Sequence, residues 1–476
     1  MPNLKRTKII ATLGPATHDL DILKSLILAG VNIVRLNFSH GEASDHAERA
    51  RLVRQAALEV GETVAILADL QGPKIRIARF KDKKVFLQKG QQFILDSDLP
   101  NEAGDEHQVG IDYKNLPCDL KPGNLLLIDD GRLELTVNTI EGNKIICTVD
   151  VGGELSNNKG INKQGGGLSA EALTDKDKSD LKIATALGVD YIAISFPRSG
   201  QDMEYARSLV EQENSTAGLV AKIERAEALD VLDEIIKASD AVMVARGDLG
   251  VEIGDAELPA AQKKIIQRAR ALDKAVITAT QMMESMIHSS MPTRAEVFDV
   301  ANAIIDGTDA VMLSAETATG EYPLAVIQTV ARVCRGAEKQ KITKQSRHRV
   351  ECYFHRVDEM IAMSAMYAAN HMDIKAIISM TESGHTPLLM SRIRSGIPIY
   401  AFSRNEKTLR KVCLYRGIYP MAFAVTDYKA SEINDRAIDL LKQRGIVKVG
   451  DKVIITEGDI LGVGGNTNVM KIHTVG

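Results

Sequence analysis

Gly218-Leu-Val-Ala-Lys-Ile-Glu224, a helical stretch, and then Ala241-Val-Met-Val-Ala-Arg-Gly-Asp248 form the segment whose reading decides the fold. Each half is a short apolar run that closes on charge. Side chains alternate along a strand, so Lys222 and Glu224 project to the same side. Two carboxylates and an ammonium at the ends of neighbouring buried strands are costly unless they serve a ligand. Such a set suits a hard cation, Mg²⁺ above all, together with an anionic substrate carrying phosphate or carboxylate.

The same pattern extends in both directions. Runs at 8–12, 31–37, 63–69, 190–195, 219–223, 241–245, 275–280 and 310–314 are rich in Val, Ile and Ala and read as parallel strands buried on both faces. The stretches between them are helical in period. Leu20, Leu23 and Ile27 share one face that Gly30 terminates, and Thr293-Arg-Ala-Glu296 reads as a capping box. Eight such units predict a (β/α)₈ TIM barrel, an architecture that keeps its chemistry at the C-terminal strand ends. The polar residues fall there: Arg35 and Asn37, Asp69, Ser195, Lys222 and Glu224, Arg246 and Asp248, Thr280, then Ser314 and Glu316.

One unit is interrupted. After Asp69 the pattern turns to short alternating runs, Lys84-Val-Phe-Leu, Leu125-Leu-Leu-Ile and Lys144-Ile-Ile-Cys-Thr-Val, separated by turns such as Glu141-Gly-Asn143. This predicts a small β-barrel lid domain over 71–168, with Gly165-Gly-Gly-Leu168 as its exit hinge, between barrel segments 1–70 and 169–345. Lys341 to Arg349 reads as a basic connector. A separate open-sheet α/β domain over 346–476 follows, with strands near Ala376–Met380, Ile397–Phe402 and Lys452–Thr456.

Composition sets bounds. The 476 residues suffice for several domains, and 45% hydrophobic with 26% charged residues is ordinary for a globular chain. A net charge of -4 offers no global field for nucleic acid, so anion binding must be local. The five cysteines include no CxxC pair, which predicts a reducing compartment rather than a zinc site or a disulfide framework. Met-Pro-Asn-Leu-Lys-Arg leads straight into a strand-like run, and no apolar stretch is long enough to span a bilayer. The expected location is cytoplasmic, with no membrane or nucleic-acid partner.

The motifs Arg35-Leu-Asn-Phe-Ser-His-Gly41, Lys222-Ile-Glu224, Val244-Ala-Arg-Gly-Asp-Leu-Gly250, Ala279-Thr-Gln-Met282, Glu284-Ser-Met286 and Met312-Leu-Ser-Ala-Glu-Thr317 together resemble pyruvate kinase, over essentially the whole chain. The resemblance implies transfer of a phosphoryl group from phosphoenolpyruvate to ADP, giving pyruvate and ATP. It implies Mg²⁺ (or Mn²⁺) on Glu224 and Asp248, with Lys222 over the transferring group. Arg35 and Arg76 would clamp phosphate oxygens. The N–H groups of Gly247 and Asp248, with the Thr280 hydroxyl, would hold the substrate carboxylate. Thr280, Ser314 and Glu316 would line the proton path to the enolate carbon, where the terminal donor is one of these groups or a water. No Walker A sequence occurs, and Arg35, His40, Arg76 and Lys176 match the nucleotide-side positions. A homotetramer is implied as well. A lyase or aldolase barrel would need neither the insert nor Lys176, and a non-catalytic sensor would have lost a central charge.

The chain departs from the K⁺-dependent branch of that family. There the ion is held at positions matching Asn37, Ser39, Asp69 and the Leu70 backbone, and an acidic residue follows Gly-Pro in the next loop. Here Lys74 takes that place in Asp69-Leu-Gln-Gly-Pro-Lys-Ile-Arg76, so K⁺ is expected to be dispensable. In the C-terminal domain Thr381-Glu-Ser-Gly-His-Thr386 resembles the family's effector loop. Thr381, Glu382, Ser383, Gly384 and Thr386 would face a glycine-rich segment from Gly458 to Asn468. Glu382 disfavours a bisphosphate such as fructose 1,6-bisphosphate, so AMP or a sugar monophosphate is the expected activator.

Overall fold

The computed structural model describes residues 4–345, 352–459 and 465–476. Residues 346–349 of the connector and 460–464 of the segment facing the effector loop lie outside the described residues.

The strands in chain order are β1 (Lys8–Thr12), β2 (Ile33–Asn37), β3 (Ala65–Asp69), β4 (Lys84–Leu87), β5 (Gln92–Asp96), β6 (Gln108–Gly110) and β7 (Leu125–Ile128). There follow β8 (Leu133–Glu141), β9 (Lys144–Val151), β10 (Gly153–Ser156), β11 (Ile161–Lys163), β12 (Tyr191–Ile194), β13 (Gly218–Ile223) and β14 (Ala241–Ala245). The last seven are β15 (Ala275–Ala279), β16 (Ala310–Leu313), β17 (Ala376–Met380), β18 (Ile399–Ser403), β19 (Ile418–Ala422), β20 (Lys452–Gly458) and β21 (Thr467–Thr474).

Eight parallel strands close into a barrel in the order β1-β16-β15-β14-β13-β12-β3-β2. The eight apolar runs are these strands, and β1, β3, β14 and β15 are buried along their whole length, as a sheet walled by helices requires. Capping follows the sequence signals. Asp19 accepts from the Asp21 and Ile22 N–H groups at one helix start, and Gly30 ends that helix at φ +121°, where a side chain would be strained. Thr293 and Glu296 form a reciprocal capping box.

Between β3 and the helix Asp175–Ala186 the chain leaves the barrel and makes a six-stranded sheet, β11-β7-β8-β9-β5-β6, and a two-stranded pair, β10-β4. These enclose their own core of Phe93, Leu126, Leu135, Ile145 and neighbours. The insert rejoins the barrel through Gly165, whose N–H donates to Glu252 O at 3.0 Å, and through Leu168, whose carbonyl accepts from Arg225 at 2.8 Å.

The C-terminal sheet runs β19-β18-β17-β20-β21, parallel except for β21. Its core is continuous with the barrel lumen: Ile10, Leu67, Tyr191 and Met243 belong to the same apolar cluster as Met366, Leu389 and Ile454. Charge fastens the junction. Asp190 takes Arg54 and Arg410, each at 2.8 Å, and Arg392 forms a fully buried pair with Asp309.

Candidate active site

Strand alternation delivers what the sequence implies at β13. Lys222 Nζ lies 2.9 Å from Glu224 Oε1 and 3.3 Å from Asp69 Oδ1, and it donates to Ser195 Oγ at 2.7 Å. Ser195 in turn donates to the Leu70 carbonyl at 2.7 Å. Burial pulls the Lys222 ammonium down, but Asp69 and Glu224 more than reverse this and hold it above the usual lysine range. The second oxygen of Glu224 accepts from the Phe196 N–H at 2.8 Å, and Phe196 itself sits at φ +55°. Burial, with Asp248 nearby, raises the Glu224 carboxyl despite Lys222.

Asp69 is shared between two cations. Arg35 Nε donates to its Oδ2 at 2.6 Å and Arg35 Nη1 to Thr12 Oγ1 at 3.1 Å. Burial would raise the Asp69 carboxyl, but Lys222 and Arg35 override it and hold it low. Thr12 extends the chain of contacts across the barrel by donating to Leu313 O at 2.7 Å.

Lys74 reaches back from the insert to the end of β14. Its Nζ lies 2.9 Å from Asp248 Oδ1 and 3.8 Å from the exposed Asp130. The turn that aims it depends on Gly72 at φ +70°, where a Cβ would come within 2.5 Å of the Ser195 Cβ. Burial lowers the Lys74 ammonium, and Asp248 more than restores it. Lys74 thus pairs with Asp248 and Asp130. Of the positions expected to hold K⁺, Asn37 Oδ1 accepts from the Ser39 N–H at 3.2 Å, the Leu70 carbonyl accepts from Ser195, and Asp69 pairs with Arg35.

Gly247 and Asp248 open the helix Arg246–Ile253, where first-turn N–H groups lack intrahelical partners. A Cβ on Gly247 would approach Thr280 Cγ2 to 3.0 Å, so Thr280 lies directly against this anion-favouring end. Thr280 stands at φ +70°, a strained posture for a β-branched residue. Buried Arg246 holds it there, donating to the Thr280 carbonyl at 2.6 Å and pairing with Asp299 at 2.7 Å. This positioning role was not evident in the sequence, because the partners are more than thirty residues away. Ser195 and Thr12 were likewise unassigned. Glu316 is buried and accepts from the Ser314 N–H at 2.5 Å, and burial raises its carboxyl.

The nucleotide-side positions are more dispersed. Lys176 donates to the Phe38 carbonyl at 2.9 Å and so docks on the loop that carries exposed His40. Arg76 instead bonds Asn158 O at 3.1 Å within the insert. In the C-terminal domain Thr381 Oγ1 accepts from the Gly384 N–H at 2.9 Å, and Thr386 meets Thr467 at 2.7 Å. Glu382 pairs with Arg404 at 3.3 Å. Ser383 and Gly384 line a cavity of about 530 Å³ with Arg356, Lys274 and Lys411.

Known proteins share this sequence and architecture. The family described as "Pyruvate kinase, barrel domain" matches residues 4–327, and "Pyruvate kinase, alpha/beta domain" matches 359–473. The chain is 57% identical to pyruvate kinase II of Salmonella typhimurium, over 99% of both chains. It is 55% identical to a pyruvate kinase of Haemophilus influenzae, over 96% of both. The crystal structure of a pyruvate kinase from Cryptosporidium parvum superposes with a TM-score of 0.92 at 33% identity, covering 99% of this chain and 96% of that one.

Proposed function

The chain belongs to the pyruvate kinase family, and on that premise we propose how its own residues carry out phosphoryl transfer from phosphoenolpyruvate to ADP. The P–O bond to the enol oxygen breaks, a bond to an ADP β-phosphate oxygen forms, and the enolate takes a proton at its methylene carbon to give pyruvate. Such transfer depends on positioning and charge neutralisation. The observation that carries this reading is the buried web of Lys222, Asp69, Arg35 and Glu224 at the C-terminal end of the barrel.

Lys222, held protonated, stabilises the transferring phosphoryl group and the enolate oxygen as it forms. Arg35, fixed by Asp69 and Thr12, binds phosphate oxygens. Gly247, Asp248 and Thr280 hold the substrate carboxylate at the helix end. Ser314, Glu316 and Thr280 serve the proton path. His40, Lys176 and Arg76 belong to the nucleotide side, with Arg76 carried toward it by movement of the insert.

Glu224 and Asp248 are the proposed protein ligands for Mg²⁺ (or Mn²⁺). The fit is chemical. Their carboxylates are near enough for Asp248 to raise the Glu224 carboxyl, and among the described residues no group of three His, Cys, Asp or Glu converges as a complete cage. Two carboxylates suit an ion that keeps waters and substrate oxygens in its shell. When bound it neutralises charge on the phosphoryl and carboxylate groups.

Independence from K⁺ is supported by Lys74, which already places a cation beside Asp248. A phosphorylated activator, AMP or a sugar monophosphate, is proposed for the loop Thr381, Glu382, Ser383, Gly384 and Thr386. Tight binding of fructose 1,6-bisphosphate that is lost in Thr381→Ala would overturn that choice. A homotetramer is supported by exposed apolar side chains, Met291 and Phe298 on the barrel and Val357, Met360 and Tyr367 on the C-terminal domain. A cytoplasmic location is supported by free Cys147, Cys334 and Cys413 buried as thiols. Among the described residues no helix is long and apolar enough to cross a membrane.

The test is pyruvate formation, coupled to lactate dehydrogenase, from phosphoenolpyruvate with and without ADP, in Mg²⁺ buffer free of Na⁺ and K⁺. ADP-dependent turnover that added K⁺ barely changes is expected. Turnover only with K⁺ would remove the K⁺ proposal, and none in any condition would remove the residue assignments.

A further inference from the structure

Five guanidinium groups surround one small cavity at the junction of the barrel and the C-terminal domain. Arg6 and Arg270 come from the barrel, and Arg392, Arg394 and Arg416 from the domain beneath it. The only carboxylate on the described wall is Asp309, and Arg392 consumes both of its oxygens. Beyond the wall Glu338 lies 3.7 Å from Arg6 and is also engaged by the Thr7 N–H and hydroxyl, and Asp306, which acts on Arg394, is taken by Lys263 at 2.5 Å. Most of the remaining donors end on backbone carbonyls: Arg6 on Thr343, Arg270 on Arg392, Arg394 on Ile342, Ile305 and Asp306, and Arg416 on Ile304. Carbonyls satisfy hydrogen bonds but do not cancel charge.

Two donors are left over. Arg416 Nη2 and Arg394 Nε are buried without a hydrogen-bond partner among the described residues, and Arg416 is only 8% exposed. A guanidinium cannot neutralise itself by losing a proton in a protein. Burial and the neighbouring arginines strain against this, pulling Arg270 down to about 9 and Arg416 to about 10. A buried excess of positive charge is tolerated when it is paired. The cavity volume is about 20 Å³, more than the roughly 10–15 Å³ that one water needs and on the scale of a monoatomic ion.

We propose that this cavity is a binding site for one monoatomic halide ion, chloride in ordinary buffers, held by Arg416, Arg394 and Arg270 and joining the barrel to the C-terminal domain. A water would fill the space and accept from the orphaned N–H groups, but it would leave the charge uncompensated. A halide does both. The site lies beside Asp309, just before β16, at the opposite end of the barrel strands from Lys222, and it stands whether or not the assignments made there do.

The test uses the full chain. Crystals soaked in bromide should show an anomalous peak between Arg416 and Arg394. In solution, denaturation at fixed ionic strength should be compared in sodium chloride, bromide and isethionate, an anion too large to enter. Past half-saturation each tenfold rise in halide should multiply the folded-to-unfolded ratio by about tenfold, whereas isethionate should have no such effect. Arg416→Met should abolish that dependence. The bromide measurement on the unaltered chain decides the matter if the variant fails to fold. A water without anomalous signal, or a bromide peak with no such halide-dependent stabilisation (an ion bound at crystal concentration only), would overturn the proposal.

Discussion

Lys74 and Asp248 are 174 residues apart in the chain, yet the Lys74 ammonium lies 2.9 Å from Asp248 Oδ1. The insert and the barrel therefore share a charge pair at the mouth of the site. A unit charge about 4 Å from an anion is worth about 4 kcal/mol at an effective dielectric of 20. Lys74→Glu should remove that charge and make turnover depend on K⁺. Activity titrated against K⁺ in Na⁺-free buffer checks this, and a variant equally active at all K⁺ levels would refute it.

Lys222→Met keeps the stem and removes the charge. We expect kcat to fall by about 10²- to 10³-fold, the usual loss for one preorganised donor to developing negative charge. Substrate binding should change less. Steady-state kinetics separate the two, and a pure KM effect would contradict the role given to Lys222.

Arg246→Lys preserves the charge but cannot span the Thr280 carbonyl and Asp299 together. Thr280 should relax from φ +70°, and kcat/KM should drop about tenfold to a hundredfold, matching the strain such a posture stores. A crystal structure of the variant would show whether Thr280 has moved. Lost activity with Thr280 unmoved would count against a positioning role.

Glu252 stands under the glycine hinge of the insert, accepting from the Ala226 N–H at 2.8 Å with Glu227 beside it. Burial pushes its carboxyl up to about 7 from 4.5. The folded chain thus binds this proton more tightly than the unfolded one. Its contribution is complete below about 4.5 and is lost as pH rises to about 7, by an amount on the order of 3 kcal/mol. Glu252→Gln should flatten that part of the stability profile, measured by denaturant unfolding between pH 5 and pH 8, conditions spanning the shift. An unchanged slope would sink the assignment.

Asp190 ties Arg54 of the barrel to Arg410 of the C-terminal domain and also accepts from the Ile66 N–H at 2.8 Å. Asp190→Ala takes the shared carboxylate from half-buried Arg54 and Arg410, which keep Val64 O and Glu406, and strands the buried Ile66 N–H, so it should cost about 1–3 kcal/mol. Urea unfolding measures it, and a loss below about 1 kcal/mol would place the pair among surface contacts.

Much of this was legible because it is local. Strand alternation alone put Lys222 and Glu224 on one side, and the apolar runs marked all eight barrel strands, because a strand walled on both faces is mostly apolar and carries its polar residues chiefly toward its ends. The helix-opening signals at Asp19 and Thr293 act within three residues. What stayed hidden depends on distant pairing. Nothing near Ser195 says that it will meet Lys222, and nothing near Arg246 points to Asp299. Lys74 stood out in its loop, but its partner did not. The sequence shows Glu382 as negative charge disfavouring a bisphosphate in the effector loop, and the fold pairs it with Arg404 from the next strand's end.

The four apolar cores are joined unevenly. The insert encloses its own, while the barrel lumen and the C-terminal sheet share one. The insert is therefore the exchangeable cassette of this architecture, able to melt or be grafted with little disturbance below it. The C-terminal domain is the barrel's floor, and a chain cut at the connector would lack the other half of its own interior.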